Sequence, residues 1–371
     1  MHKERSGKTE KTVEKILKKY DDHITGLRDL TGDAPPSKLF FFLADRLSYM
    51  LDDNPERVVT KKGIAYRRRF HPIIKTLGPH FLTNPQIIEN RNFLKNPDAS
   101  DIQPDKDIIL PKTPVIWAPN HGFKDDVLAT VLAASRHAYI LFGSLPQFYN
   151  TFDGVTSWIN GVVMTNRKNA ASRGSSLAKC IRTINLGADL IVFPEGVWNK
   201  SPNALLIDLW PGIYRIACET GAPVVPVVHY IRDYNNKLED NPIHTVIDDP
   251  IRIDNMSEKA ALDYLRDIQA TWHYLMMEAY GKTTRKELIG ANSNAALAWE
   301  EHLIERIKTA DRYDTEIELR ADYRPDENTR PENVWRTIAE IKEPSKSNIL
   351  HVAYAQKVVE TAELNDFQRR F

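Results

Sequence analysis

From residue 113 onward, short apolar runs alternate with stretches of helical period. "TPVIWAP", "AYILFG", "GVVMT", "DLIVFPEG" and "APVVPVVHYI" are too short and too continuously apolar for surface helices, so they predict buried strands, with "IHTVIDDPIRI" as another. Between them, "DDVLATVLAAS" and "SRGSSLAKCIRTINLG" predict helices. The second places Leu177, Ile181 and Ile184 on one face and stops at Gly187. "PGIYRIACETG" has Pro211 at its start and Gly221 at its end, the expected polarity of a helix. Ser257 opens a longer helix with Leu262, Leu265, Ile268, Trp272 and Leu275 facing a core. Strands alternating with helices predict an α/β fold, a mostly parallel or mixed sheet flanked by helices.

Both flanks differ in texture. Residues 1–105 read as a helical N-terminal region punctuated by "GDAPPS", "DDNP" and "KNPDASDIQPDKD". It contains the apolar run "KLFFFLADRLSYML" and the basic cluster "KKGIAYRRRF". Residues 106–281 form the predicted α/β domain. Residues 282–371 form a charged C-terminal extension whose pattern carries no recognisable chemistry. No internal repeat or low-complexity segment is present.

Composition narrows the class. The 371 residues include 50 basic and 50 acidic side chains, so global charge gives no reason to expect a nucleic-acid partner. Hydrophobic residues make up 42% and charged residues 27%, the balance of a globular protein. No run approaches the ~18–20 apolar residues of a membrane span, and "MHKERSGKTEK" lacks the apolar region of a secretory signal. A cytoplasmic protein is therefore expected. Cys180 and Cys218 lie in helical patterns without a CxxC or His-rich neighbour, and are read as reduced core residues, with no metal site.

Chemistry concentrates in "NHGFKDD", residues 120–126. His121 and Asp126 could form a base and its orienter, but the stretch equally fits a turn with an aspartate N-cap. On one continuous helix Asp126 would stand roughly 140° around from His121, and Asp125 would face it better. The pair converges only if His121 sits in the loop and points back over the first turn. "HTVIDD" repeats the spacing with His244 and Asp249, but inside a strand pattern. Further on, "LIVFPEGVWNKS" ends a strand abruptly and delivers Glu195 and Gly196 to the end of the sheet, where α/β sites form. It also reads as a plain strand exit. "INGVVMTNRKN" places Arg167 and Lys168 beyond a short strand. A guanidinium there suits a phosphate, or simply solvent.

Taken in order, "NHGFKDD", "GVVMTNR", "FPEGVWNKS" and "APVVPVV" resemble the four blocks of the glycerolipid acyltransferases of the lysophosphatidate acyltransferase type, over about residues 113–230. The resemblance implies His121 as general base, Asp126 as its orienter, Arg167 on the acceptor phosphate, and Glu195 with Gly196 shaping the acceptor site. It implies a fatty acyl thioester donor, on coenzyme A or acyl carrier protein, a lysophosphatidate-like acceptor, and no cofactor or metal. Two departures fall on the acceptor side. Val197, Trp198, Asn199 and Lys200 follow FPEG where the family has Thr, Arg and Ser, leaving Lys200 as the substitute cation. Gly161 to Arg167 is also one residue longer than the commonest spacing. The alternatives are a soluble glycerol-3-phosphate acyltransferase, an acyltransferase for another alcohol or amine, and a non-catalytic lipid- or acyl-carrier-binding module. Because such substrates are amphiphiles, the cluster of Lys61, Lys62, Arg67, Arg68 and Arg69 with Tyr66 and Phe70 is expected to touch an anionic membrane peripherally, at its inner face.

Overall fold

A computed structural model describes residues 50, 52–95, 101–123, 125–143, 152–166, 169–199, 206–232 and 241–280. The run "KLFFFLA", Arg167, Lys168, Lys200 and the extension 282–371 lie outside the described residues. In chain order the elements are α1 (Pro55–Val58), α2 (Lys61–Leu77), a 3-10 turn (Gly78–Phe81), β1 (Gln86–Ile88), α3 (Arg91–Lys95), β2 (Ile116–Pro119), α4 (Asp126–Ala133), β3 (Ala138–Phe142), α5 (Phe152–Asn160), β4 (Val162–Met164), α6 (Ala170–Asn185), β5 (Asp189–Ile191), α7 (Gly212–Thr220), β6 (Val224–Tyr230), β7 (Ile243–Ile247) and α8 (Glu258–Tyr280).

The strands form one mixed sheet in the order β1-β7-β6-β2-β5-β3-β4. Strands β6, β2, β5, β3 and β4 run parallel. β7 is antiparallel to β6, and β1 lies parallel to β7. Residues 86–88 fall in a stretch expected to be helical, yet they join this sheet. The N-terminal region is thus part of the α/β layer, and a boundary at 105 would cut through it. Pro226 sits inside β6 although it has no N–H to donate. It is tolerated because the neighbouring ladder is irregular there: β7 ends opposite Val227, Asp248 N donates to Pro226 O at 2.9 Å, and bridge pairing resumes at Val224 with Ile251.

Strand side chains alternate between two cores. Ile116, Ala118, Leu190, Val192 and Val224 face one cluster, with Cys180 and Ile184 of α6, Ile213 and Ile216 of α7, and Ala261 and Leu265 of α8. Val115, Trp117, Ile191, Val225 and Val227 face the other, with Val131 of α4. α2 joins both, since Ile64 belongs to the first and Ile74 packs on the second. The α8 start is as the sequence predicts: Ser257 Oγ accepts from Ala260 N at 3.3 Å, and Leu265, Trp272 and Leu275 are buried. Cys180 is buried as expected. Cys218 is exposed, because it lies on the solvent side of α7.

Candidate active site

The site forms where β2 and β5 end side by side. After Pro119 the chain leaves the sheet through residues 120–125, and α4 begins at Asp126. His121 therefore stands in the loop and reaches back over the first helical turn, the one arrangement in which its spacing to Asp126 can close. His121 Nδ1 lies 2.8 Å from Asp126 Oδ2. The same oxygen accepts from Gly122 N at 2.9 Å and Phe123 N at 3.2 Å. Three nitrogens crowd Oδ2, leaving no room for a proton on it, so His121 Nδ1 carries the hydrogen, and in a neutral ring the acceptor is Nε2. Asp126 is fully buried, whereas the His121 side chain is 18% exposed. Asp125, the better-facing partner on a continuous helix, instead accepts from Thr83 N at 2.7 Å.

The "FPEG" loop grips His121 from the other side. Glu195 is buried, and its Oε1 accepts from His121 N at 2.8 Å while Oε2 accepts from Ile207 N at 3.1 Å. Asn199 N donates to His121 O at 2.7 Å. The imidazole packs on Phe193 (centroids 4.4 Å apart) and meets Trp198 edge-on at 5.9 Å. Glu195 thus bonds one main-chain amide of the His121 loop and one of the segment at Ile207, a destination that nothing in "FPEG" itself discloses. Gly196 adopts φ +70°, and a Cβ there would come within 3.0 Å of Trp210 Cδ1. Glycine is required by both conformation and space.

The second His-x4-Asp spacing does not converge. His244 Nδ1 bonds Glu89 Oε1 at 2.6 Å, Tyr280 OH donates to Glu89 Oε2 at 2.5 Å, and the two rings stack at 3.7 Å. Asp249 is mostly exposed and pairs with Arg91 at 3.3 Å.

The basic cluster of α2 divides. Lys61, Lys62, Tyr66, Arg68 and Arg69 are exposed, and Arg68 donates to Gly187 O at 2.8 Å. Arg67 is buried. It donates to Trp158 O at 3.1 Å and sits over the rings of Tyr139 and Trp158, so it belongs to the core and not to a surface patch. Among the described residues no group of three or more His, Cys, Asp or Glu is arranged to hold a metal, and no helix is long and apolar enough to cross a membrane.

Residues 99–230 match the acyltransferase family. The chloroplastic 1-acyl-sn-glycerol-3-phosphate acyltransferase BAT2 of Brassica napus is 28% identical over 162 residues, 44% of this chain and 43% of that protein. The 1-acyl-sn-glycerol-3-phosphate acyltransferase of Haemophilus influenzae is 24% identical over 165 residues, 43% of this chain and 66% of that protein. This chain therefore spans less than half the length of the plant relative it matches. Among solved structures, the 1-acyl-sn-glycerophosphate acyltransferase of Thermotoga maritima aligns with a TM-score of 0.41 and 14% identity, over 64% of this chain and 93% of that one.

Proposed function

We propose that this chain, whose residues 99–230 match the acyltransferase family, moves a fatty acyl group from an acyl thioester to the free hydroxyl of a lysophosphatidate-like glycerol phosphate. The observation that carries the reading is the closed His121–Asp126 pair, in a loop held on both sides by main-chain bonds. A loop that served only as a turn would not require an imidazole with its Nδ1 proton fixed and its Nε2 left as acceptor.

In this reading the acceptor hydroxyl gives its proton to His121 Nε2 as its oxygen attacks the thioester carbonyl carbon. Asp126 holds the ring and stabilises the imidazolium, the Ser-His-Asp logic with the acceptor's own hydroxyl in place of serine. The tetrahedral intermediate then breaks its C–S bond, and the imidazolium proton goes to the departing thiolate. No acyl-enzyme forms. Arg167, with Lys200 in support, binds the acceptor phosphate through charge-assisted hydrogen bonds. Glu195 acts by placing His121, and Gly196 lets the "FPEG" backbone approach the acceptor.

Peripheral contact with anionic lipid belongs to the same proposal. The exposed Lys61, Lys62, Arg68 and Arg69 beside Tyr66 support it, each basic residue near such a surface contributing about 1 kcal/mol. Co-sedimentation with phosphatidylserine vesicles at low salt, lost at high salt, is the expected result. Absence of binding at both refutes the contact.

The acceptor is tested by product mass. With palmitoyl-coenzyme A, lysophosphatidate should yield phosphatidate faster than glycerol 3-phosphate yields lysophosphatidate. The reverse preference would assign the glycerol-3-phosphate acyltransferase reading instead.

A further inference from the structure

Both ends of the loop that carries His121 are tied to one residue, His229 of β6. At the near end, Asn120 forms a reciprocal pair with the His229 main chain: Asn120 Nδ2 donates to His229 O at 3.0 Å, and His229 N donates to Asn120 Oδ1 at 2.7 Å. Asn120 N already donates to Val227 O at 3.1 Å, so the side-chain amide adds a further rung to the β2–β6 ladder just before His121. At the far end, the His229 imidazole reaches one turn into α4. Its Nε2 lies 2.8 Å from Thr130 Oγ1, which in turn lies 2.7 Å from the Asp126 carbonyl oxygen.

The proton directions follow from the chemistry of the groups. A carbonyl only accepts, so the Thr130 hydroxyl spends its single proton on Asp126 O. His229 Nε2 must then donate to Thr130 Oγ1. Burial pushes the His229 pKa down to about 4, against the opposing pull of the Asp126 charge, so the ring is neutral and its Nδ1 accepts. The Thr245 hydroxyl supplies that proton at 2.9 Å, and its oxygen takes Gln86 Nε2 at 2.9 Å. The chain Gln86–Thr245–His229–Thr130–Asp126 runs in one direction with each proton assigned.

We infer that His229 is a positioning residue of the site: its main chain sets Asn120, its Nε2–H sets the first turn of α4 through Thr130, and together these ties fix the separation of His121 and Asp126. The kinetic consequence rests on the proposed acyl transfer, whereas the geometric one does not. A misplacement of ~1 Å at such a pair costs about a hundredfold in turnover.

The test uses the full chain as wild type, Thr130→Val, Thr130→Ser, His229→Gln, His229→Phe and the Thr130→Val/His229→Phe double variant. Turnover of palmitoyl-coenzyme A with lysophosphatidate is read beside the thermal midpoint and imidazole NMR. Thr130→Val should lower kcat about tenfold to a hundredfold with KM within about twofold. Thr130→Ser and His229→Gln, the latter keeping one donor and one acceptor, should regain most of the rate. The Thr130→Val/His229→Phe double variant should be no slower than the slower single, because both cut one link. NMR should find His229 neutral and protonated on Nε2, and the His121 Nδ1 proton signal shifted or lost in Thr130→Val. A His229 ring protonated on Nδ1, or a Thr130→Val rate per folded molecule equal to wild type, overturns the inference. Should wild type show no turnover, the acyl-transfer reading fails while NMR still decides this one: an unchanged His121 signal in Thr130→Val refutes it.

Discussion

Replacing Asp126 by Asn isolates the charge of the dyad from its geometry. An amide oxygen at the Oδ2 position can still accept from His121 Nδ1, Gly122 N and Phe123 N, so the loop has no reason to move. What disappears is the attraction between a carboxylate and the imidazolium formed during transfer. With Nδ1 and Oδ2 2.8 Å apart, the two centres of charge lie roughly 4 Å apart, which at an effective dielectric of ~20 is about 4 kcal/mol. Asp126 is fully buried, so solvent does little to replace that attraction. At ~1.4 kcal/mol per tenfold in rate, kcat should fall by about three orders of magnitude. The assay is thiol release from palmitoyl-coenzyme A with saturating lysophosphatidate, corrected for folded fraction by thermal melting. A loss smaller than about tenfold in a fully folded variant would show that Asp126 does not stabilise a charged His121, and would refute the base assignment as argued.

Three further outcomes follow from contacts elsewhere. Glu195→Gln turns one acceptor of a main-chain amide into a donor, leaving a buried N–H unpaired at about 1–3 kcal/mol. Its kcat should fall about tenfold with the KM for lysophosphatidate little changed, whereas a KM effect alone would mean that Glu195 contacts the acceptor. Gly196→Ala forces a Cβ onto φ +70° against Trp210, and urea unfolding should show a loss of about 1–2 kcal/mol; an unshifted midpoint would contradict the strain. His229 and His137 are buried with pKa values pushed down to about 4, chiefly by desolvation. Between pH 6.5 and 4 the unfolded chain binds protons that the folded one refuses, so stability falls as pH falls through that window, by about 2 kcal/mol per histidine at pH 5. In His229→Gln the loss between pH 7.5 and 5, measured by urea titration, should be smaller by about that amount. An equal loss would mean that the His229 ring is protonated in the folded state.

Legibility in the sequence tracked the range of the interactions involved. The β2, β3, β5 and β6 strands and the α6, α7 and α8 helices rest on local period and on end residues such as Ser257 and Gly221, all visible in a short window. Strand β1, three residues long, has no period to read and exists because β7 accepts its pairing. Arg67 looks like its neighbours in "YRRRF", and only the aromatic faces of Tyr139 and Trp158 draw it inward. His244 and Asp249 share the spacing of the dyad, but five residues along an extended chain cover ~16 Å, and the carboxylate it meets is Glu89, 155 residues away. The blocks around His121 and Glu195 were visible, but the direction of the Glu195 carboxylate was not, because its partners are main-chain amides of other loops. His229 lies in the period-2 pattern of "VVPVVHY" on the face of Val225 and Val227, where it reads as a core histidine until Thr130 and Thr245 are placed beside it.

In the proposed mechanism His121 removes a proton from an acceptor hydroxyl. The most direct measurement compares wild type and His121→Ala for thiol release from palmitoyl-coenzyme A, with and without lysophosphatidate, and with product mass recorded. Release that requires lysophosphatidate, yields phosphatidate and falls by at least about three orders of magnitude in His121→Ala is the predicted result. Release that ignores the acceptor, or survives the substitution, would contradict the account.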